Sequence, residues 1–210
     1  MKIAIIDYGL GNLHSVLGAV RKVGYDAIIT NNGSDILNSD RVILPGVGSF
    51  AEGMNNIKNL KLIDPLNKFV NVIKKPILGI CLGFQLLANE SFEFGHHRGL
   101  GWVDASVEKL NLEDKIIRIP HIGWNDHLKC NNSILWDGIP DEALFYYVHS
   151  YHMKCKNEKI IIGKCTYGTK FVSAIQQKNI YATQFHPEKS QFYGLEILKN
   201  FIEKSGHVKK

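Results

Sequence analysis

The chain has 210 residues, 45% hydrophobic and 21% charged, enough apolar surface for a sizeable core in an ordinary globular protein. Its formal net charge of +5 comes mostly from scattered lysines that nowhere alternate with aromatic residues, which excludes a nucleic-acid surface. No apolar run approaches membrane-spanning length, and the first run is cut short by Asp7, so one cytoplasmic domain, residues 1–210, is expected.

Residues 2–8 read as a buried first strand, followed by Gly9-Leu10-Gly11-Asn12. A helix comes next, with Leu13, Val16, Leu17, Val20 and Val23 on one face and Gly24 past its end. Strand, G-x-G and helix make the start of a dinucleotide fingerprint. The third glycine is missing, however, and no acidic residue closes the strand at 27–30, so a nucleotide site is rejected. A third strand, 41–44, ends in Pro45-Gly46-Val47-Gly48-Ser49. Helical residues 50–73, broken around Asp64-Pro65, lead to a strand at 76–80. The order β-α-β-β-α-β predicts an α/β fold with a mostly parallel central sheet and helices on both faces. Ligands of such sheets bind beyond the carboxyl ends of the strands.

At one of those ends stands Gly79-Ile80-Cys81-Leu82-Gly83-Phe84-Gln85. G-x-C-x-G between a strand and a helix is the cysteine form of a nucleophile elbow, a sharp turn that holds a reactive atom out of the fold. Glycines permit the tight turn, and the helix N-terminus favours thiolate over thiol. A lone cysteine at the end of a core strand is also an ordinary packing residue, so the reading depends on partners. The Gly46-Val47-Gly48 stretch is either a plain turn or a source of an exposed backbone N–H beside the nucleophile.

Beyond Gly95 short strands dominate, at 102–110, 115–119, 144–149, 160–167, 171–176 and 180–185. They read as a mixed or antiparallel β extension of the C-terminal half, closed by a helix at 194–204. Cys81, Cys130, Cys155 and Cys165 show no zinc spacing; free thiols are expected, three of them packing residues. His96-His97 is a poor chelate, because adjacent side chains diverge, and a polar loop is expected there. The tail 207–210 reads as a solvated end. No metal or organic cofactor is implied.

Between the last strand and the last helix comes Gln184-Phe185-His186-Pro187-Glu188-Lys189-Ser190. In an extended segment residues i and i+2 face the same way, and Pro187 keeps His186 extended. Glu188 can then hold one imidazole nitrogen while the other faces Cys81. Nucleophile, base, orienter and oxyanion donor together point to acyl-transfer chemistry.

The stretches 45–49, 79–87 and 184–190 resemble the motifs of triad (class I) glutamine amidotransferases. Asp7-Tyr8-Gly9-Leu10-Gly11-Asn12-Leu13, Pro120-His121-Ile122-Gly123-Trp124-Asn125 and Phe145-Tyr146-Tyr147-Val148-His149-Ser150-Tyr151 extend the likeness to the glutaminase subunits of imidazole glycerol phosphate synthases. The resemblance implies that Cys81, His186 and Glu188 hydrolyse L-glutamine to glutamate and ammonia. It implies oxyanion donors from Val47 and Leu82, and glutamine held by Gly48, Gln85, Ser150 and Tyr151. It further implies a heterodimer with a (β/α)₈ synthase that takes up the ammonia, with Asn12, Trp124, Asn125, Tyr146 and Lys189 near the interface.

Three alternatives stand beside it. Similar subunits serve the amidation of surface sugars, and Gly99-Leu100-Gly101-Trp102 and His96-His97-Arg98 depart from the histidine-pathway pattern. A docking scaffold without activity would most cheaply have lost Cys81 or His186. A stand-alone cysteine hydrolase would need no docking surface.

Overall fold

The computed structural model describes residues 1–112 and 116–206. Its first strands are short and apolar on both faces. β1 (Ile3–Ile6), β2 (Ile28–Thr30), β3 (Arg41–Leu44) and β4 (Ile77–Ile80) pair in parallel in the order β2-β1-β3-β4. Alternate residues of β1 feed opposite layers. Ala4 and Ile6 pack with Ile36, Phe50, Ile57 and Leu66; Ile3 and Ile5 pack with Val16, Val20, Leu198 and Phe201. A strand buried on both sides reads as a continuous apolar run, which is why these segments stand out in the sequence.

The connecting helices are α1 (Leu13–Lys22), α2 (Gly33–Asn38), α3 (Phe50–Asn59) and α4 (Ile63–Asn67), the last continuing as a π-helical stretch over Lys68–Ile73. Two expectations are corrected here. The first half runs β-α-β-α-β-α-β, because Asn31-Asn32-Gly33-Ser34 opens a helix: the Asn32 side chain accepts the Ser34 N–H at 2.8 Å. Asparagine suits a turn and an N-cap for the same reason, its short acceptor arm. The break in the long helix falls at 60–62 rather than at Asp64-Pro65. Pro65 lies in the first turn of α4, where a missing N–H costs nothing.

The C-terminal half extends the sheet with antiparallel strands. After α5 (Leu82–Gln85) come β5 (Ala88–Ser91), β6 (His97–Arg98), β7 (Val103–Lys109), β8 (His121–Asn125), β9 (Leu128–Lys129), β10 (Phe145–His149), β11 (Tyr151–Cys155), β12 (Ile161–Tyr167), β13 (Thr169–Gln177) and β14 (Ile180–Thr183). β14 pairs in parallel with β4, and β13, β12 and β9 then continue antiparallel, completing an eight-stranded sheet. β11-β7-β5-β6 form a second sheet, and β8 and β10 a two-stranded ribbon. The chain then enters α6 (Gln191–Lys204). The α/β architecture with a parallel core, helices on both faces and an antiparallel extension is the one expected.

Local expectations fare less evenly. Residues 116–119 form bends and a turn instead of a strand, while Lys115 lies outside the described residues, as does the tail 207–210. His97-Arg98, expected in a loop, pairs as β6 with Glu90 and Ser91. His96 caps this edge through Glu90 at 2.7 Å, and among the described residues no His, Cys, Asp or Glu cluster suits a metal. All four cysteines are free, but Cys130 is exposed rather than packed.

Candidate active site

Cys81 sits at the carboxyl end of β4 with φ 53° and ψ −105°, a conformation that a non-glycine residue adopts only when its surroundings enforce it. The enforcement is visible. The Cys81 N–H donates to the Thr183 carbonyl at 2.8 Å, and α5 starts at the next residue. A Cβ at Gly83 would collide with the Leu44 carbonyl, so only glycine lets the elbow press against β3. The Cys81 thiol faces the Val148 carbonyl at 3.8 Å and accepts from Gln184 Nε2 at 3.8 Å.

β14 runs beside β4 and delivers the second motif to the same edge. His186 and Glu188 are almost fully buried, and His186 Nδ1 lies 2.7 Å from Glu188 Oε1. His186 Nε2 is buried and has no hydrogen-bond partner besides Cys81. Burial alone would push the imidazolium down. The Cys81 charge and hydrogen bond, followed by those of Glu188, override it and hold the imidazolium up at about 10. The loop is braced by β10, since the His186 N–H donates to the Tyr146 carbonyl at 2.9 Å and Ser190 Oγ accepts the Tyr146 N–H at 2.9 Å.

The third strand end holds Pro45 to Ser49. Tyr8 Oη donates to the Pro45 carbonyl at 2.7 Å, and a Cβ at Gly46 would strike that hydroxyl. In this structure the Gly46 carbonyl accepts the Leu82 N–H at 3.3 Å, so one expected oxyanion donor is engaged by the loop itself. Val47 is exposed and Gly48 has φ +101°, open to glycine alone without strain.

Between these loops lies a cavity of about 440 Å³, within the range that holds a small ligand. Val47, Gly48, Leu82, Gln85, Ser150, Tyr151 and Lys189 all reach it, together with Cys81. Gln85 Nε2 donates to the Tyr151 carbonyl at 2.9 Å, fixing the wall rather than pointing freely inward. Asn12, Trp124, Asn125 and Tyr146 stand outside the cavity. The Asn12 side chain caps α1, accepting the Ser15 N–H at 3.2 Å, and the neighbouring Gly11 packs close to Gly46.

On the ribbon, Trp124 and Tyr146 are register partners on the outer face, their rings 6.1 Å apart. Lys189 Nζ lies 5.7 Å over the Tyr146 ring. Asn125, expected on the same surface, turns its amide to the other face of the ribbon, donating to the Thr166 carbonyl at 3.0 Å. Strand alternation turns neighbours to opposite faces, so the Trp124-Asn125 pair splits.

Two cavity residues escape the sequence reading. Glu93, among the described residues the one acid lining the cavity, is anchored by the Phe50 N–H. Phe94 stands exposed at the rim with φ 52°, edge-on to Tyr151 at 6.1 Å. An acid between two aromatics in a short loop is a faint cue, and only the fold brings it opposite Cys81.

The family Glutamine amidotransferase class-I matches residues 4–205. Imidazole glycerol phosphate synthase subunit HisH 1 of Campylobacter jejuni (strain RM1221) is 48% identical over 200 residues, covering 95% of this chain and 98% of that protein. Subunit HisH 2 of Methanococcus maripaludis is 47% identical, covering 97% and 100%. Among solved structures, PurLQS from Thermotoga maritima superposes with TM-score 0.71 at 16% identity, over 96% of this chain and 97% of that one, a likeness of fold. The chain belongs to the class-I glutamine amidotransferase family.

Proposed function

We propose that this chain is the glutaminase subunit of an imidazole glycerol phosphate synthase, which hydrolyses L-glutamine and supplies ammonia for histidine biosynthesis. The identity to HisH subunits over nearly the whole of both chains supports this acceptor over a surface sugar. The observation that carries the chemistry is the buried His186–Glu188 pair with its Nε2 left to Cys81. Residues 1–210 act in this reading as one amidotransferase unit, at work in the cytoplasm.

The steps follow from the geometry. The Cys81 thiolate attacks the side-chain amide carbon of glutamine, and the carbonyl π electrons move onto oxygen. His186 Nε2–H gives its proton to the departing nitrogen, ammonia leaves, and a thioester remains. Neutral His186 then takes a proton from water, hydroxide adds to the thioester, and collapse releases glutamate and the thiolate while His186 stays protonated. Glu188 holds the ring throughout. Gly48, Gln85, Ser150 and Tyr151 shape the pocket, and Glu93 is suited to the substrate's α-ammonium by charge. No cofactor is invoked.

Leu82 and Val47 are the proposed oxyanion donors. With the Leu82 N–H on the Gly46 carbonyl, that hole is closed. Turning the Gly46–Val47 peptide, which carries both the Gly46 carbonyl and the Val47 N–H, releases Leu82 and completes it, and one such donor is worth about 3–4 kcal/mol, or two to three orders of magnitude in rate. The partner, a (β/α)₈ synthase, would favour the turned loop by docking near Asn12, Trp124, Tyr146 and Lys189. The exposed, aromatic outer face of the ribbon beside the cavity supports that placement, and the half-buried Asn125 lies next to it in the same strand.

Glutamine turnover by the subunit alone, with the synthase, and with synthase plus acceptor analogue tests the reading. Low, intermediate and high rates are expected in that order. Full activity in the isolated chain would remove the gating and favour a stand-alone hydrolase; no turnover in any arm would remove the glutaminase assignment.

A further inference from the structure

His121 and His149 are buried, lie opposite each other in the ribbon register, and belong to no step above. His121 Nδ1 is 3.1 Å from His149 Nε2. The surroundings assign every proton in this contact. Asn125 Nδ2 donates to the Thr166 carbonyl at 3.0 Å, while Asn125 Oδ1 accepts the Asp126 N–H at 2.9 Å; flipping the amide would lose both. The same Nδ2 lies 3.3 Å from His121 Nε2. An amide nitrogen only donates, so His121 Nε2 accepts and its proton is on Nδ1. That N–H donates to His149 Nε2. His149 is therefore protonated on Nδ1, which donates to the Tyr151 carbonyl at 2.9 Å.

The chain does not stop there. The Tyr151 carbonyl also accepts Gln85 Nε2, whose second hydrogen goes to Gln184 Oε1 at 3.1 Å. Gln184 is wholly buried, and its own Nε2 reaches the Cys81 sulfur at 3.8 Å. An unbroken series of donors and acceptors thus links Thr166, on the ribbon side, to the nucleophile.

We propose that His121, His149 and Gln184 are positioning residues: the neutral histidine pair, each ring protonated on Nδ1, fixes the Tyr151 carbonyl, and through Gln85 it aims the Gln184 amide N–H at the Cys81 sulfur. The proposal deepens the reading of Cys81 as the glutaminase nucleophile and rests on it. A second proton on either ring would set donor against donor and break the series. The packing opposes that proton. Tyr147 and Tyr167 stack on His121 at 4.9 and 4.0 Å, and Phe171 lies against both histidines. His152 and His186 are the other titratable groups near His149, and both disfavour a further positive charge. Burial holds His121 down at about 4 and His149 at about 3.

The test uses the full chain. Nitrogen-15 NMR of labelled histidines should give the Nδ1–H tautomer for both rings from pH 6 to 8, assigned by His121→Asn and His149→Asn. An Nε2–H tautomer at either ring, or charging of either in that range, overturns the proposal whatever the enzyme's substrate. The second measurement is the pH midpoint of Cys81 alkylation by iodoacetamide. His121→Leu should move it upward by about one pH unit, a tenfold loss of thiolate at a given pH below the midpoint. His121→Asn keeps a donor at the Nδ1 position and should restore it. Should His121→Leu fail to fold, Gln184→Met, close in volume, must show the same rise. An unmoved midpoint in the folded variant overturns the proposal, whereas a glutaminase misassignment shows separately, as wild-type protein without glutamine turnover.

Discussion

Two loops meet at Cys81 and are built on opposite principles. The elbow after β4 is jammed: glycine against carbonyl, a strained φ, and a 2.8 Å bond from Cys81 to β14. The loop after β3 is pinned at one end by Tyr8, while its exposed Val47 and flexible Gly48 are held off by a single 3.3 Å bond from Leu82 to Gly46. The nucleophile must be where it is before substrate arrives, and its position carries stored strain. On the proposed function, an oxyanion donor in the second loop is useful only when the acceptor is ready. Rigidity and freedom are thus divided between neighbouring turns.

Cys81→Ala attacks the fixed side hardest. Glutamine-dependent ammonia release should fall by at least about 10⁴-fold, while synthase activity from added ammonium salt survives at raised pH. Substantial residual glutaminase activity would mean that the elbow does not carry the nucleophile. Glu188→Ala should cost about two orders of magnitude less than loss of the nucleophile, as orienters do in triads of this logic. A loss as large as that of Cys81→Ala would give Glu188 more than an orienting role.

Gly83→Ala asks whether the elbow is as rigid as its contacts imply. The added methyl must displace β3, and unfolding should become easier by about 3 kcal/mol or more in urea titration. A near-neutral result would show that the elbow yields. The loop offers the milder counterpart. Tyr8→Phe leaves the Pro45 carbonyl without its donor and should cost about 1–2 kcal/mol, a drop of about 2–8 °C in Tm. If it also raises partner-free turnover, Tyr8 is part of what keeps the hole closed; unchanged stability would remove it as the pin.

The pH dependence of stability gives the gentlest probe, and its two limbs come from different places. His186 is raised, so its contribution is complete below pH 6.5 and is lost as pH climbs toward about 10. His121 and His149 are lowered, so theirs is complete above pH 6.5 and is lost as pH falls toward about 4 and about 3. Denaturant titrations across pH should show His186→Gln flattening the alkaline limb alone. Flattening of the acid limb instead would contradict this division.

Much of the site was legible because its motifs are local. Gly79 to Gly83 and His186 to Glu188 each carry their geometry within five residues, and runs such as Ile3 to Ile6 announce a doubly covered sheet. What escaped was either ambiguous or remote. Asn32-Gly33 suits a turn as well as a helix start, and local chemistry does not choose. Residues 116–119 have strand-forming side chains but bend and turn, and the Arg118 carbonyl accepts the Tyr167 hydroxyl. Glu93, Gln184 and the His121–His149 contact depend on register between distant segments. Cross-strand proximity leaves no periodic trace in either strand.

The ribbon of β8 and β10 has a consequence for how such subunits can change. His121, Phe145, Tyr147 and His149 point inward, whereas Ile122, Trp124 and Tyr146 point out. The exposed face and the face packed toward Cys81 are therefore written on the two sides of one short tape, one residue apart. Point substitutions on the outward positions can alter the exposed face while the inward contacts stay put. A single inserted residue would exchange the sides, burying Tyr146 and exposing Tyr147. A change in the ribbon's length is therefore costlier to this fold than a change at one of its outward letters.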